Sequence, residues 1–217
     1  MKHWNSVLLC DLGNRGLALV AIAICLSNVA AFGQALKTGV FVAGRDLERA
    51  AFVGTHQFVI LVPKDAAKFP ECRDLGDGTK GMVVSTIKKD DRLQVAWFDA
   101  GDYQATREHT NPGKYVSNFK PDFDTEVAAV NIGGVEIDAA IAKLRSSIEH
   151  YVSYERTHSL VYPSNADSIK NKAGLINSNS WAQSLIEHNF GRGKVREDFT
   201  GADYGHQNRI DVLYFVK

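Results

Sequence analysis

The chain has 217 residues, 25 Lys and Arg against 25 Asp and Glu, and 45% hydrophobic residues, enough for one domain with a full core. That charge balance supplies no basic face of the kind nucleic-acid binding requires. Its three cysteines, Cys10, Cys25 and Cys72, exclude a disulfide-dense scaffold, and no CxxC or HExxH spacing marks a zinc site.

Residues 1–33 read as a secretory signal. Lys2 and Arg15 precede an apolar stretch from Gly16 to Leu26, and the small residues Ala30, Ala31 and Gly33 follow. The apolar run falls short of the ~20 residues of a spanning helix. Cleavage is expected to leave a mature N-terminus between Phe32 and Leu36, a periplasmic or secreted location, and a single domain over 34–217. Losing Lys2, Arg15 and Asp11 leaves 23 basic against 24 acidic residues. Cys72 is then the one remaining cysteine, and its segment Phe69–Asp74 reads as a polar loop rather than a nucleophile site.

In the mature chain, residues 37–42 predict a short strand. Phe58 to Val62 is a continuous apolar run, rich in β-branched residues and closed by Pro63, as in a buried strand. Gly76-Asp77-Gly78-Thr79 predicts a turn. Met82 to Ile87 and Leu93 to Phe98 flank the charged tip Lys88-Lys89-Asp90-Asp91 and predict a hairpin. Tyr103 to His109 reads as a further strand, and residues 111–130 as loop. Ile137, Ile141, Leu144, Ile148 and Tyr151 recur at helical spacing and predict a helix over 135–154, approached through Gly133-Gly134. Trp181, Leu185, Ile186 and Phe190 predict a second helix, and Ile210 to Val216 a closing strand. No internal repeat occurs.

Two segments carry the chemistry. His56 stands at the mouth of the apolar strand, in Gly54-Thr55-His56-Gln57-Phe58. Asn177-Ser178-Asn179-Ser180-Trp181 opens the late helix with cap-forming residues, where free N–H groups and the helix dipole favour developing negative charge. Together they resemble the permuted NlpC-type and lecithin-retinol-acyltransferase-like branch of the papain-like superfamily. In that family the late motif typically reads Asn-Cys-Asn-x-Phe, and Ser178 stands where it has its cysteine. The resemblance implies a circularly permuted papain-like α+β fold, an antiparallel sheet packed against helices.

It also implies acyl transfer without a cofactor or metal. Ser178 would attack a carbonyl, His56 would take and return its proton, and N–H groups at the helix start would hold the oxyanion. Gln94, Asp99 or Asp102 could orient His56, and Ser180 is the competing nucleophile. Asn177, Asn179, His206 and Arg209 are candidates for substrate contact. Asp203, Tyr204, His206 and Arg209 form a second, phosphate-handling possibility.

The expected activity is that of an exported amide or ester hydrolase acting on cell-envelope peptides or lipids. A serine is harder to activate than a thiol, so the alternative is a catalytically inactive papain-like binding domain, or a secreted effector whose Ser178 only caps a helix.

Overall fold

The computed structural model describes residues 35–47, 54–112, 114, 125–163, 174–199 and 204–216. The secretory-signal reading of 1–33 lies outside them. The described residues fall within one unit, Gly33–Lys217. Its strands are β1 (Gly39–Asp46), β2 (Thr55–Val62), β3 (Arg73–Asp74), β4 (Lys80–Lys89), β5 (Arg92–Trp97) and β6 (Glu126–Ala129). Its helices are α1 (Ala100–Thr110), α2 (Ile137–Glu155) and α3 (Ser178–Phe190).

The fold is α+β, with a six-stranded antiparallel sheet in the order β3-β4-β2-β1-β6, β5 also pairing with β4. All of β2 is buried, which an antiparallel strand achieves only when both faces of its sheet are covered. On one face Val59, Leu61, Val42 and Val84 pack with Ile141, Leu144 and Ile148 of α2 and Trp181, Leu185 and Ile186 of α3. On the other, Phe58, Ile60, Ala43 and Val83 pack with Ala105 of α1. The alternation of side chains along a strand divides the molecule into these two cores.

The hairpin is β4–β5, with Asp90 and Asp91 at φ 51° and 57° in its tip. Both apolar helices form, as α2 and α3.

Three local expectations are corrected. Tyr103 to His109 is helical within α1, because the Asp99 side chain accepts the Gly101 N–H and caps a helix start. Small residues there, Ala105 and Thr106, let the helix lie close on the sheet. The 111–130 segment contains β6, a four-residue strand held by its pairing with β1. Ile210 to Val216 makes no strand: the Asp211 side chain accepts the Leu213 N–H and starts a 3-10 turn, Val212–Tyr214. Ile210 and Phe215 enter the core, while Val212, Leu213 and Val216 stay exposed.

Candidate functional site

His56 and Gln57 are neighbours on β2 and leave it on opposite faces. Arg45 pairs with His56, and Gly44 with Gln57. The His56 face carries α1, and the Gln57 face carries α3.

On the α1 face, His56 Nε2 lies 3.1 Å from Asp102 Oδ2. Asp102 is fully buried and also takes the Arg45 Nε–H on Oδ1 at 2.7 Å and the Ser85 hydroxyl on Oδ2 at 2.5 Å. Burial pushes this carboxyl upward. His56, Arg45 and Ser85 outweigh that and hold it well below the usual carboxylate range. The His56 ring stacks on Phe58, with centroids 6.3 Å apart. Asp102 reaches this place because Phe98, at φ 53°, turns the chain sharply between β5 and α1. Such a conformation is unusual for a bulky residue; the Phe98 N–H, bonded to the Val83 carbonyl at 2.8 Å, helps to fix it.

On the other face, the N-terminus of α3 meets β2 beside His56. β4 pairs with β2 only from Val59↔Val84 to Leu61↔Met82. Past that point Asn179 takes the place of a strand: its Oδ1 accepts the Gln57 N–H at 2.8 Å and its Nδ2 donates to the Thr55 carbonyl at 2.8 Å. Its Nδ2 also donates to the Tyr204 carbonyl at 3.0 Å. Gln183 Nε2 donates to Gln57 Oε1 at 2.8 Å, and Gln57 Nε2 to the Glu197 carbonyl at 3.0 Å. A buried, uncharged amide network thereby joins the helix to the strand.

Asn177 caps α3, its Oδ1 accepting the Asn179 and Ser180 N–H groups at 3.0 and 3.1 Å. Ser180 Oγ completes the capping box by accepting the Asn177 N–H at 3.3 Å, and it donates to the Gly205 carbonyl at 2.7 Å. Gly205 has φ 79°, and a Cβ there would fall 2.8 Å from the Asn177 side chain, so this closure requires glycine.

Ser178 is buried, and its hydroxyl donates to Asn179 Oδ1 at 3.3 Å. Its other polar neighbour is Tyr162, a phenol that burial pushes up in pKa and the Ser178 hydroxyl pulls back. Among the described residues no hydrogen bond joins Ser178 to His56.

The remaining candidates have separate surroundings. Asp99 caps α1 and lies 3.8 Å from the Arg45 guanidinium. Gln94 is on β5 opposite Ile87 of β4, and no hydrogen bond joins it to His56 among the described residues. Arg209 spends its guanidinium on Glu187 at 2.7 Å, Glu197 at 2.9 Å and the His206 carbonyl, so it braces the closing segment. Asp203 lies outside the described residues. Cys72 is half-buried, its thiol pushed up by burial and by Glu71.

Sequence reasoning named Asp102 but missed Arg45 and Ser85. Strand alternation from Phe58 and Ile60 back to His56 was the available signal; the partners came from other strands. Among the described residues no cluster of His, Cys, Asp or Glu could hold a metal ion, and no helix is long and apolar enough to cross a membrane. No family model, curated protein or solved structure matches this chain.

Proposed function

We propose that this chain is an exported binding domain of the cell envelope, built on a permuted papain-like frame whose Ser178, the first helical residue after the Asn177 cap, braces the start of α3 instead of attacking a substrate. The observation that carries this reading is the separation of the two halves of the expected catalytic unit. The His56 side chain is committed to Asp102 on the α1 face, whereas the Ser178 hydroxyl is committed to Asn179 on the α3 face. A serine nucleophile needs its base in hydrogen-bond contact. The oxyanion role is weakened too, because the Asn177 side chain already takes the Asn179 and Ser180 N–H groups. The order of a sheet followed by the α3 helix is the one a permuted papain-like frame would have, and peptides or lipids of the envelope are the ligand class that likeness suggests.

A hydrolase is the second reading, and one observation favours it: a buried carboxylate bonded to the imidazole is what orients a general base. Such an enzyme would need Ser178, or another nucleophile, to reach the His56 ring.

A fluorophosphonate probe separates the two. The binding reading expects no adduct on Ser178 in the folded protein. An adduct on Ser178 that disappears in His56→Ala would establish the hydrolase instead. N-terminal sequencing of exported protein is expected to begin between Phe32 and Leu36; retention of Met1 would overturn the export part.

A further inference from the structure

The groove between β5 and the last turns of α2 has a volume of about 310 Å³, at the lower end of the range that holds small molecules, ~300–1,000 Å³. Val95 and Val152 contribute its apolar walls, and Arg92, Gln94, Glu155 and Arg156 its polar ones. Glu155 is the one acid of the lining, and both its oxygens are taken: Arg92 Nε donates to Oε1 at 2.8 Å and Nη2 to Oε2 at 2.9 Å. Nη2 also donates to the Glu155 carbonyl at 2.6 Å, which satisfies the end of α2.

This clamp immobilises Arg92 and leaves its Nη1 without a hydrogen bond among the described residues. Arg156 has no ion pair and Gln94 no side-chain hydrogen bond among the same residues. The groove therefore has one positive charge in excess and free donors on both of its sides. The backbone of β5 adds another pair. The Leu93 N–H donates to the Leu160 carbonyl and its carbonyl accepts the Tyr151 hydroxyl, so alternate residues turn their polar groups away from β4. Val95, two residues on, turns its N–H and C=O to the same edge, where no described residue bonds them.

We propose that this groove binds a small N-acylated amino acid through its carboxylate. Arg156 and the free edge of Arg92 hold the carboxylate as charge-assisted donors. Val95 backbone groups and Gln94 match the ligand's amide, and Val95 and Val152 cover its short apolar side chain. The site goes beyond the reading above, since it uses neither Ser178 nor His56, and it is read by binding and not by hydrolysis.

Titration calorimetry on the intact protein tests it, with N-acetylalanine as the probe and N-acetylalanine amide and inorganic phosphate as comparisons. Saturable binding of the acid is expected, weakened at least about tenfold in the amide and in Arg156→Gln, as loss of a charge-assisted hydrogen bond predicts. Arg156 is exposed, so this variant should melt with the parent protein. Val152→Trp, which fills the groove, should abolish the heat. Equal affinity for acid and amide, unchanged binding in Arg156→Gln, or no heat at all would overturn the proposal. Phosphate binding as tightly as the acid would overturn it as well, leaving a general anion site. A terminal carboxylate on a longer peptide, N-acetyl-alanyl-alanine, binding at least as well would place the source in peptide ends; weaker binding would place it in the free acylated amino acid.

Discussion

The Asn179 carboxamide completes the edge of β2 at Gln57: its oxygen accepts the Gln57 N–H at 2.8 Å while its nitrogen donates to the Thr55 carbonyl. One side chain thus extends the ladder past the point where β4 leaves it, and locks the start of α3 to the strand that carries His56.

Asn179→Ala should therefore cost about 2–4 kcal/mol, measured by urea unfolding, because it strips partners from buried backbone groups. Asn179→Asp is the sharper variant. It keeps an acceptor for Gln57 but turns a carboxylate toward the carbonyls of Thr55 and Tyr204, so it should be worse than Ala at neutral pH and partly recover in acid. An Asp variant as stable as the parent at pH 7 would contradict the donor role.

Asp102→Asn should destabilise by about 3 kcal/mol, since it takes from the partly buried Arg45 its nearer and buried counter-charge and leaves only the half-buried Asp99 at 3.8 Å. The pH dependence has a defined sign. The folded Asp102 is held below its unfolded value of ~3.9, so its contribution is complete above that value and is lost as pH falls through the lower, folded one. The gap between parent and variant should accordingly narrow below about pH 4. A gap that widens in acid would show that the carboxylate is not stabilised by these partners.

His56 and Ser178 share no hydrogen bond among the described residues, and a double-mutant cycle in stability reads this directly. His56→Ala and Ser178→Ala should add to within about 0.5 kcal/mol. Coupling of about 1 kcal/mol or more would mean that the two side chains meet in solution.

Thr86 is fully buried, and its hydroxyl has no hydrogen-bond partner among the described residues. Thr86→Val keeps the shape and removes an unsatisfied group, so it should raise stability by about 1 kcal/mol, seen as a higher Tm. A lower Tm would reveal a partner for this hydroxyl.

Cys72 should react slowly with iodoacetamide at pH 7, because burial and Glu71 raise its thiol pKa. The rate should climb as pH rises past the ordinary thiol range. Fast alkylation at neutral pH would reopen Cys72 as a reactive residue.

Elements whose pattern is local were legible in the chain alone. The apolar run Phe58–Val62, the helical spacing of Ile137, Ile141, Leu144 and Ile148, and the cap-forming cluster Asn177–Ser180, in which the structure makes Asn177 and not Ser178 the cap, each state a period or a backbone need that neighbours in the chain satisfy. Segments without such a period were misread. Tyr103–His109 has no clear period, and Asp99 starts a helix there; Ile210–Val216 is largely apolar, yet Asp211 turns it. β6 carries almost no pattern and exists because β1 offers it an edge. The site depended still more on tertiary structure. His56 and Ser178 were both visible as polar residues at element ends. Which face each would occupy is decided by strand parity together with the choice of which helix covers which face. That choice places α1 with Asp102 under His56 and α3 over Gln57. The burial of Asp102 among His56, Arg45 and Ser85 assembles residues from four separate elements, and no spacing within one of them encodes it.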